Sequence, residues 1–195
     1  MNALKNVMSV MGGLFILTII IVLIKIAPMY ERFMAFDEEA ATTYLTLAEN
    51  ILTTGNAADA TVWKMQVEEG LSAADVEEAM LSVANEHNIK NVGILPLYKQ
   101  IEAMSGKPYR FMKIFMFCNA LTAAKMADYS DSFTAYLPCR VALLEDKTGK
   151  LWIYSLNMDL MIYGGLPLPE ELKKEALNVK RIIRDIMGRG SKGEF

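Results

Sequence analysis

Residues 111–156 read FMKIFMFCNALTAAKMADYSDSFTAYLPCRVALLEDKTGKLWIYSL, and this stretch decides the fold. Its opening run, Tyr109 to Cys118, is apolar on both sides of a two-residue alternation. Met112, Ile114, Met116 and Cys118 fall on one face, and Phe111, Phe115 and Phe117 on the other, with Lys113 the exception. A strand covered on both faces belongs inside a sheet rather than at its rim. Leu137 to Leu144 alternates more cleanly, with Leu137, Cys139, Val141 and Leu143 on one face. Asp146-Lys147-Thr148-Gly149 is turn chemistry, with glycine where a positive φ is needed. Leu151 to Leu156 returns as the partner strand, Trp152 and Tyr154 sharing a face. Between first strand and hairpin, Ala120 to Ala127 predicts a short helix.

Working outward towards the N-terminus, Ile89 to Leu95 predicts a strand stopped by Pro96, and Leu97 to Met104 a helical turn or two closed by Gly106. Thr61 to Val67 alternates Trp63, Met65 and Val67 against Val62, Lys64 and Gln66, the pattern of a half-buried strand. After Gly70, Ser72 caps a helix with Asp75 three residues on, and Val76, Ala79, Met80, Val83 and Ala84 form its buried face. His87 ends that helix. It is the one histidine, with Glu86 as its one nearby acid, and reads as a surface residue. Towards the C-terminus, Gly164-Gly165-Leu-Pro-Leu-Pro predicts a linker, and Pro169 opens a last helix where a missing N–H costs nothing. Leu172, Ala176, Val179, Ile183 and Ile186 line one face of it, Gly188 can cap it, and residues 190–195 read as a frayed tail. This order predicts an α+β domain with a single mixed β-sheet and packed helices.

The N-terminus is of another kind. Val7 to Ile24 is uncharged, and with residues up to Ala27 it matches a hydrocarbon core of roughly 30 Å at about 1.5 Å per residue. Lys25 can snorkel to the interface, while Pro28 and Tyr30 fit the far boundary. A cleaved signal peptide is the competing reading, but no small-x-small site follows the apolar run. Lys5 and the amino terminus lie before the span and Asp37, Glu38 and Glu39 after it. Although Lys25 and Arg32 blunt that bias, it favours a signal anchor in the inner membrane with the domain on the periplasmic side. Taking Lys5 and Lys25 from the 20 basic and 23 acidic residues leaves 18 against 23, a net charge near −5. That balance argues against a nucleic-acid surface.

Glu31 to Leu52 predicts one further helix. Phe33, Phe36, Ala40, Tyr44, Leu47 and Ile51 recur at spacings of three and four and make one continuous apolar stripe. The stripe either packs on its own domain or serves as a stalk for a partner or a second copy. Phe33, Phe36, Tyr44, Leu47 and Ile51 are the candidate partner-binding residues. The expected division is 1–29 anchor, 30–56 stalk helix, 57–164 α+β core, and 165–195 C-terminal helix and tail.

Ile114 to Ala120 followed by Leu137 to Ser155 resembles the bacterial domain-of-unknown-function 302 family. Phe117, Asn119, Leu137, Pro138, Glu145, Asp146, Gly149 and Trp152 carry the resemblance, which covers Thr61 to Tyr163. The chain departs from the family pattern at Cys118, where glycine is usual, and at Ala120, where proline is usual. The family's Ile-Asp-His segment falls near Leu95 to Tyr98, where this chain has no histidine, so no role of that histidine carries over. The resemblance implies a fold. It implies no reaction, because the family has no established activity.

Cys118 and Cys139 are the candidates for special chemistry. They are read as buried thiols, as a disulfide if their Cα atoms come within about 7 Å, or as a soft-metal or redox thiol pair aided by Met116. There is no CxxC, zinc spacing, P-loop, dinucleotide fingerprint or GxSxG. No cofactor is identified, and Glu145-Asp146 reads as a solvated pair of acids in a turn. The sequence thus predicts a single-span envelope protein whose domain binds or stabilises a partner in a membrane complex. The alternative is a redox or small-ligand domain using the two cysteines.

Overall fold

The structure, a computed structural model, describes residues 2–195; the side chains of residues 2–5 and Ser9, and with them the expectation for Lys5, lie outside the described residues. Five strands form one sheet: β1 (Val62–Gln66), β2 (Lys90–Leu95), β3 (Met112–Cys118), β4 (Cys139–Glu145) and β5 (Leu151–Leu156). Their spatial order is β1-β5-β4-β3-β2. Every pairing is antiparallel, where a mixed sheet was expected. The long connections, which look like crossovers in sequence, carry the chain back along the sheet so that each neighbour runs the opposite way. The α+β class with one sheet and packed helices stands.

The helices are α1 (Asn2–Met34), α2 (Ala40–Thr54), the short α3 (Ala57–Ala60), α4 (Ala73–Glu86), α5 (Leu97–Ser105), α6 (Ala120–Tyr129), the short α7 (Asp159–Tyr163) and α8 (Glu170–Gly190); a 3-10 turn spans Asp131–Tyr136. Helices α4 and α8 lie side by side across one face of the sheet. Phe115, Phe117, Val141, Leu143 and Ile153 meet Val76, Met80 and Val83 of α4 and Ile182, Ile183, Ile186 and Met187 of α8 in the main core. Alternation in the strands puts these residues on one face, and three- and four-residue spacing does the same in the helices. The capping box at Ser72 and Asp75 is present in full, with Asp75 Oδ2 accepting from the Ser72 amide at 2.8 Å. A smaller core of Met126, Met158, Ile162, Leu168, Leu172 and Ala176 sits where α6 and α7 reach α8.

Three expectations change. The C-terminal helix is a layer of the main core, not an appendage, and its apolar face is used there. The tail is not frayed. The Glu68 amide donates to the Ser191 carbonyl at 2.8 Å, and Gly190 and Ser191 are buried. The single helix expected over Glu31–Leu52 is broken between Met34 and Ala40. Asp37 breaks it. Its amide donates to the Gly165 carbonyl at 2.8 Å, and its carboxylate accepts from the Glu39 amide and from Lys173 Nζ at 2.6 Å. An aspartate that satisfies nearby amides offers the backbone an alternative to the helical ladder. The Asp37 side chain is 1% exposed and Lys173 25%, so this joint is the clasp between α1–α2 and the start of α8.

Helix α1 contains Asn6–Met34, long and apolar enough to cross a membrane, and its most apolar window is unburied.

Candidate functional site

The end of the sheet where β3 stops and β4 begins is not closed by side chains. A cleft of about 330 Å³ wraps it, lined among others by Ile114, Phe117, Cys118, Met126, Phe133, Tyr136, Leu137, Cys139, Tyr154, Met158 and Met161. Local sequence makes this opening. Asn119 leaves the strand and caps α6 by accepting from the Leu121 and Thr122 amides at 3.1 and 3.2 Å. Helix α6 and the 3-10 turn then swing out and return through Leu137 and Pro138, so the strand ends are bridged rather than plugged. The lining is mostly apolar. Its polar groups are few: Asn119, Thr122, Tyr136, Arg140, Tyr154 and Ser155. Ser155 Oγ is committed to the Arg140 carbonyl at 2.9 Å, and Thr122 Oγ1 donates to Glu175 at 3.0 Å.

Both cysteines line this cleft, on opposite sides of the sheet. Cys139 is the register partner of Phe117. Cys118, the next residue along β3, faces away from it because successive strand residues alternate. Cβ vectors that point apart do not suit a disulfide, and both cysteines are free. Burial pushes the Cys118 thiol up, and burial with the nearby Cys118 pushes the Cys139 thiol up to about 11. The thiolate is the nucleophile and the metal ligand. Two thiols raised in this way and set on opposite faces of the sheet offer apolar packing surface to the cleft. Burial likewise raises the Tyr154 hydroxyl, helped by Asp59 and Asp146. These three groups thus enter the cleft neutral.

Among the expected partner-binding residues, the break at Asp37 splits the stripe. The Phe33 and Phe36 rings pack with their centroids 5.5 Å apart on the α1 side of the joint. On α2, Tyr44 donates its hydroxyl to the Gly164 carbonyl. Leu47 lines a second cleft, of about 490 Å³, between α2 and α7. Ile51 remains exposed. Tyr44 and Leu47 thus lean towards α7 and its flanking turn while Tyr44 and Ile51 stay more than a third exposed, and Leu45 (71% exposed) and Leu52 (85%) also face outward.

Two further groupings escaped the sequence. His87 is not a free surface residue: its Nε2 lies 2.6 Å from Asp185 Oδ2, in a small ionic cluster that includes Glu86 and Arg189. The partner is on α8, 98 residues away, and no local signal marks it. Asp146 is not merely solvated. Its carboxylate accepts from the Thr148 amide and hydroxyl at 2.7 Å, from the Lys150 amide at 3.0 Å and from the Trp152 indole N–H at 3.0 Å. Thr148 leads the bonds that hold its carboxyl down at about 2. An aspartate opening a turn with a threonine two residues on was a readable sign of this.

The fold and the family can be compared with known proteins. A family model described as "Domain of unknown function DUF302" matches residues 63–189. The crystal structure of an uncharacterized conserved DUF302 protein from Bacillus stearothermophilus superposes with a TM-score of 0.54 at 15% identity, covering 66% of this chain and 97% of that one. At that identity the likeness speaks for the fold alone. No curated protein matches the chain. The matched span starts at Trp63 in β1 and ends at Arg189 in α8, so it takes in the C-terminal helix that the sequence reading had set apart. The chain belongs to the DUF302 family, with an apolar helix and its clasp added before the family domain.

Proposed function

We propose that this is a membrane-anchored domain that binds a small, largely apolar ligand in the cleft at the end of the sheet. The single observation behind this is the cleft itself, mostly apolar in lining with a few polar groups at its edge. That is the make-up of small-molecule sites, which run from about 300 to 1,000 Å³. Thiols and a Tyr154 hydroxyl that burial keeps towards the neutral form suit an apolar occupant, so the reading offered is binding. Helix α1 is the anchor, in the inner membrane, with the domain on the periplasmic side. The experiment is extraction and mass spectrometry of small molecules retained by the full chain purified gently from its own membrane. Wild type should carry one, and Ala123→Trp, which puts a large side chain into the cleft wall, should lose it. A wild-type protein that retains nothing would overturn the reading.

A second reading, an accessory subunit that docks a partner or a second copy, draws support from Leu45 and Leu52 on the outward side of α2. Leu45→Lys with Leu52→Lys should then abolish crosslinking to that partner in membranes while the domain's melting temperature holds.

A further inference from the structure

The apolar cleft does not stand alone. It shares Tyr136, Leu156 and Met161 with the second cleft, so the two adjoin across these three side chains. The second has a different lining. Glu39, just before α2, and Thr42, Thr43, Thr46 and Asn50 on it recur at helical spacing along one side, and Asn157, Asp159, Tyr163 and Lys180 face them. Its polar groups are mainly hydroxyls and amides, set among Leu47, Leu156, Leu160 and Met161, so it is the more polar of the two clefts without being wholly polar. Thr18 and Thr54 turn their hydroxyls back to the carbonyl four residues earlier. Among the described residues, Thr42, Thr43 and Thr46 make no such bond, which leaves their hydroxyls to the cleft. The charges there are largely spent on one another: Lys180 is paired with Asp159, and its ammonium also lies over the Tyr163 ring at 5.2 Å. Among the described residues that line this second cleft Lys180 is the one cation and it is paired, while Glu39 adds a negative charge at the rim; the guanidinium of Arg140 belongs to the first cleft, at the end of the sheet.

We infer that the ligand is an uncharged amphiphile, its apolar chain in the cleft at the end of the sheet and its hydroxyl-bearing head under α2. The inference rests on the proposed ligand-binding function and names the class of ligand. Position supports it. Helix α2 follows the membrane-spanning candidate α1 after a single clasped turn, and Glu39 of that turn lines the polar cleft, so with α1 as the proposed anchor the cleft opens near the bilayer, where such amphiphiles are dissolved. Polar partners placed to hydrogen-bond a head discriminate strongly against a head that leaves them unpaired, and a carboxylate head would meet Glu39 and Asp159 without a free cation.

The test uses the full chain in phosphatidylcholine nanodiscs, with alkylation of Cys118 and Cys139 by N-ethylmaleimide followed peptide by peptide. Both cysteines line the apolar cleft, so an occupant slows their labelling. Monolauroylglycerol should slow it at least about tenfold more than laurate at equal concentration, a difference of about 1.4 kcal/mol. Thr46→Val with Asn50→Leu should erase that preference and leave protection by the chain intact; circular dichroism melting checks that the variant is folded. Equal protection by laurate, or a preference that survives the double substitution, overturns the inference while the apolar site stands. Protection by neither amphiphile overturns both.

Discussion

Asp146 shows how much one side chain can hold in a turn. It ties the hairpin to the Trp152 ring, which also has Lys64 Nζ over it at 5.9 Å. A carboxyl depressed to about 2 contributes fully above its unfolded value of about 3.9 and loses that contribution as the pH falls through about 2. In a Trp63→Phe background, Trp152 emission should therefore stay constant down to about pH 4 and shift only below it. Asp146→Ala should show the shifted emission at neutral pH. Trp152 itself lies half-buried on the face opposite the α4–α8 layer, so Trp152→Ala should cost about 1–2 kcal/mol in denaturant titrations. Phe115→Ala, in the closed core, should cost about 3–5 kcal/mol. The alternation of β5 correctly grouped Trp152 with Tyr154. It could not tell which face the helices would cover, because period two marks sides without naming the inner one.

Elements reveal a different limit. The apolar stripe of α8 was legible residue by residue, yet its destination was not: a stripe says that a face is buried, not against what. Gly190 now makes that packing testable. A Cβ there would come within 2.5 Å of Met80 Cγ, a buried atom of α4. Gly190→Ala should lower stability by about 1–3 kcal/mol, the usual cost of overpacking, and Gly188→Ala, which has open space, should not. The clasp at the head of α8 was equally invisible, since Asp37 and Lys173 are 136 residues apart. Desolvation pushes the Asp37 carboxyl up, but the Lys173 hydrogen bond, the Glu39 amide and the Lys173 charge together hold it below the usual range. The Asp37 bond raises Lys173 in turn. A lowered acid contributes above about pH 3.9, and a raised lysine below about 10.4. The joint should stay shut between those limits and open in stronger acid, read as proteolysis between Met34 and Ala40. Asp37→Asn should speed that cleavage about tenfold at pH 7, about 1.4 kcal/mol of local opening.

At the scale of the whole molecule, the apolar helix α1 and the domain separate cleanly. Neither core draws on α1. A chain starting at Ala35 should therefore keep the melting temperature of the full chain within a few degrees, and a large drop would make α1 part of the fold. A reporter active only outside the cytoplasm, fused after Phe195, should be active; activity of a cytoplasm-only reporter there would reverse the proposed orientation. The sheet and the hairpin were legible because each is written in local periodicity, and the long apolar helix because its composition is uniform. The cleft was not, because it arises where α6 fails to plug the strand ends, and a gap has no sequence pattern of its own.

The clasp also fixes a distance. Lys173 holds the chain where it leaves α1, and Gly190 closes the same helix at its other end. Seventeen residues of rise separate them, about 25 Å. Helix α8 is thus a rigid spacer between the joint at Asp37 and the docked tail. A donor fluorophore at Glu38 and an acceptor at Glu194 should report energy transfer for one fixed separation of that order. Anything attached beyond Phe195 begins a helix length away from the joint, with the spacer, not a tether, setting its standoff.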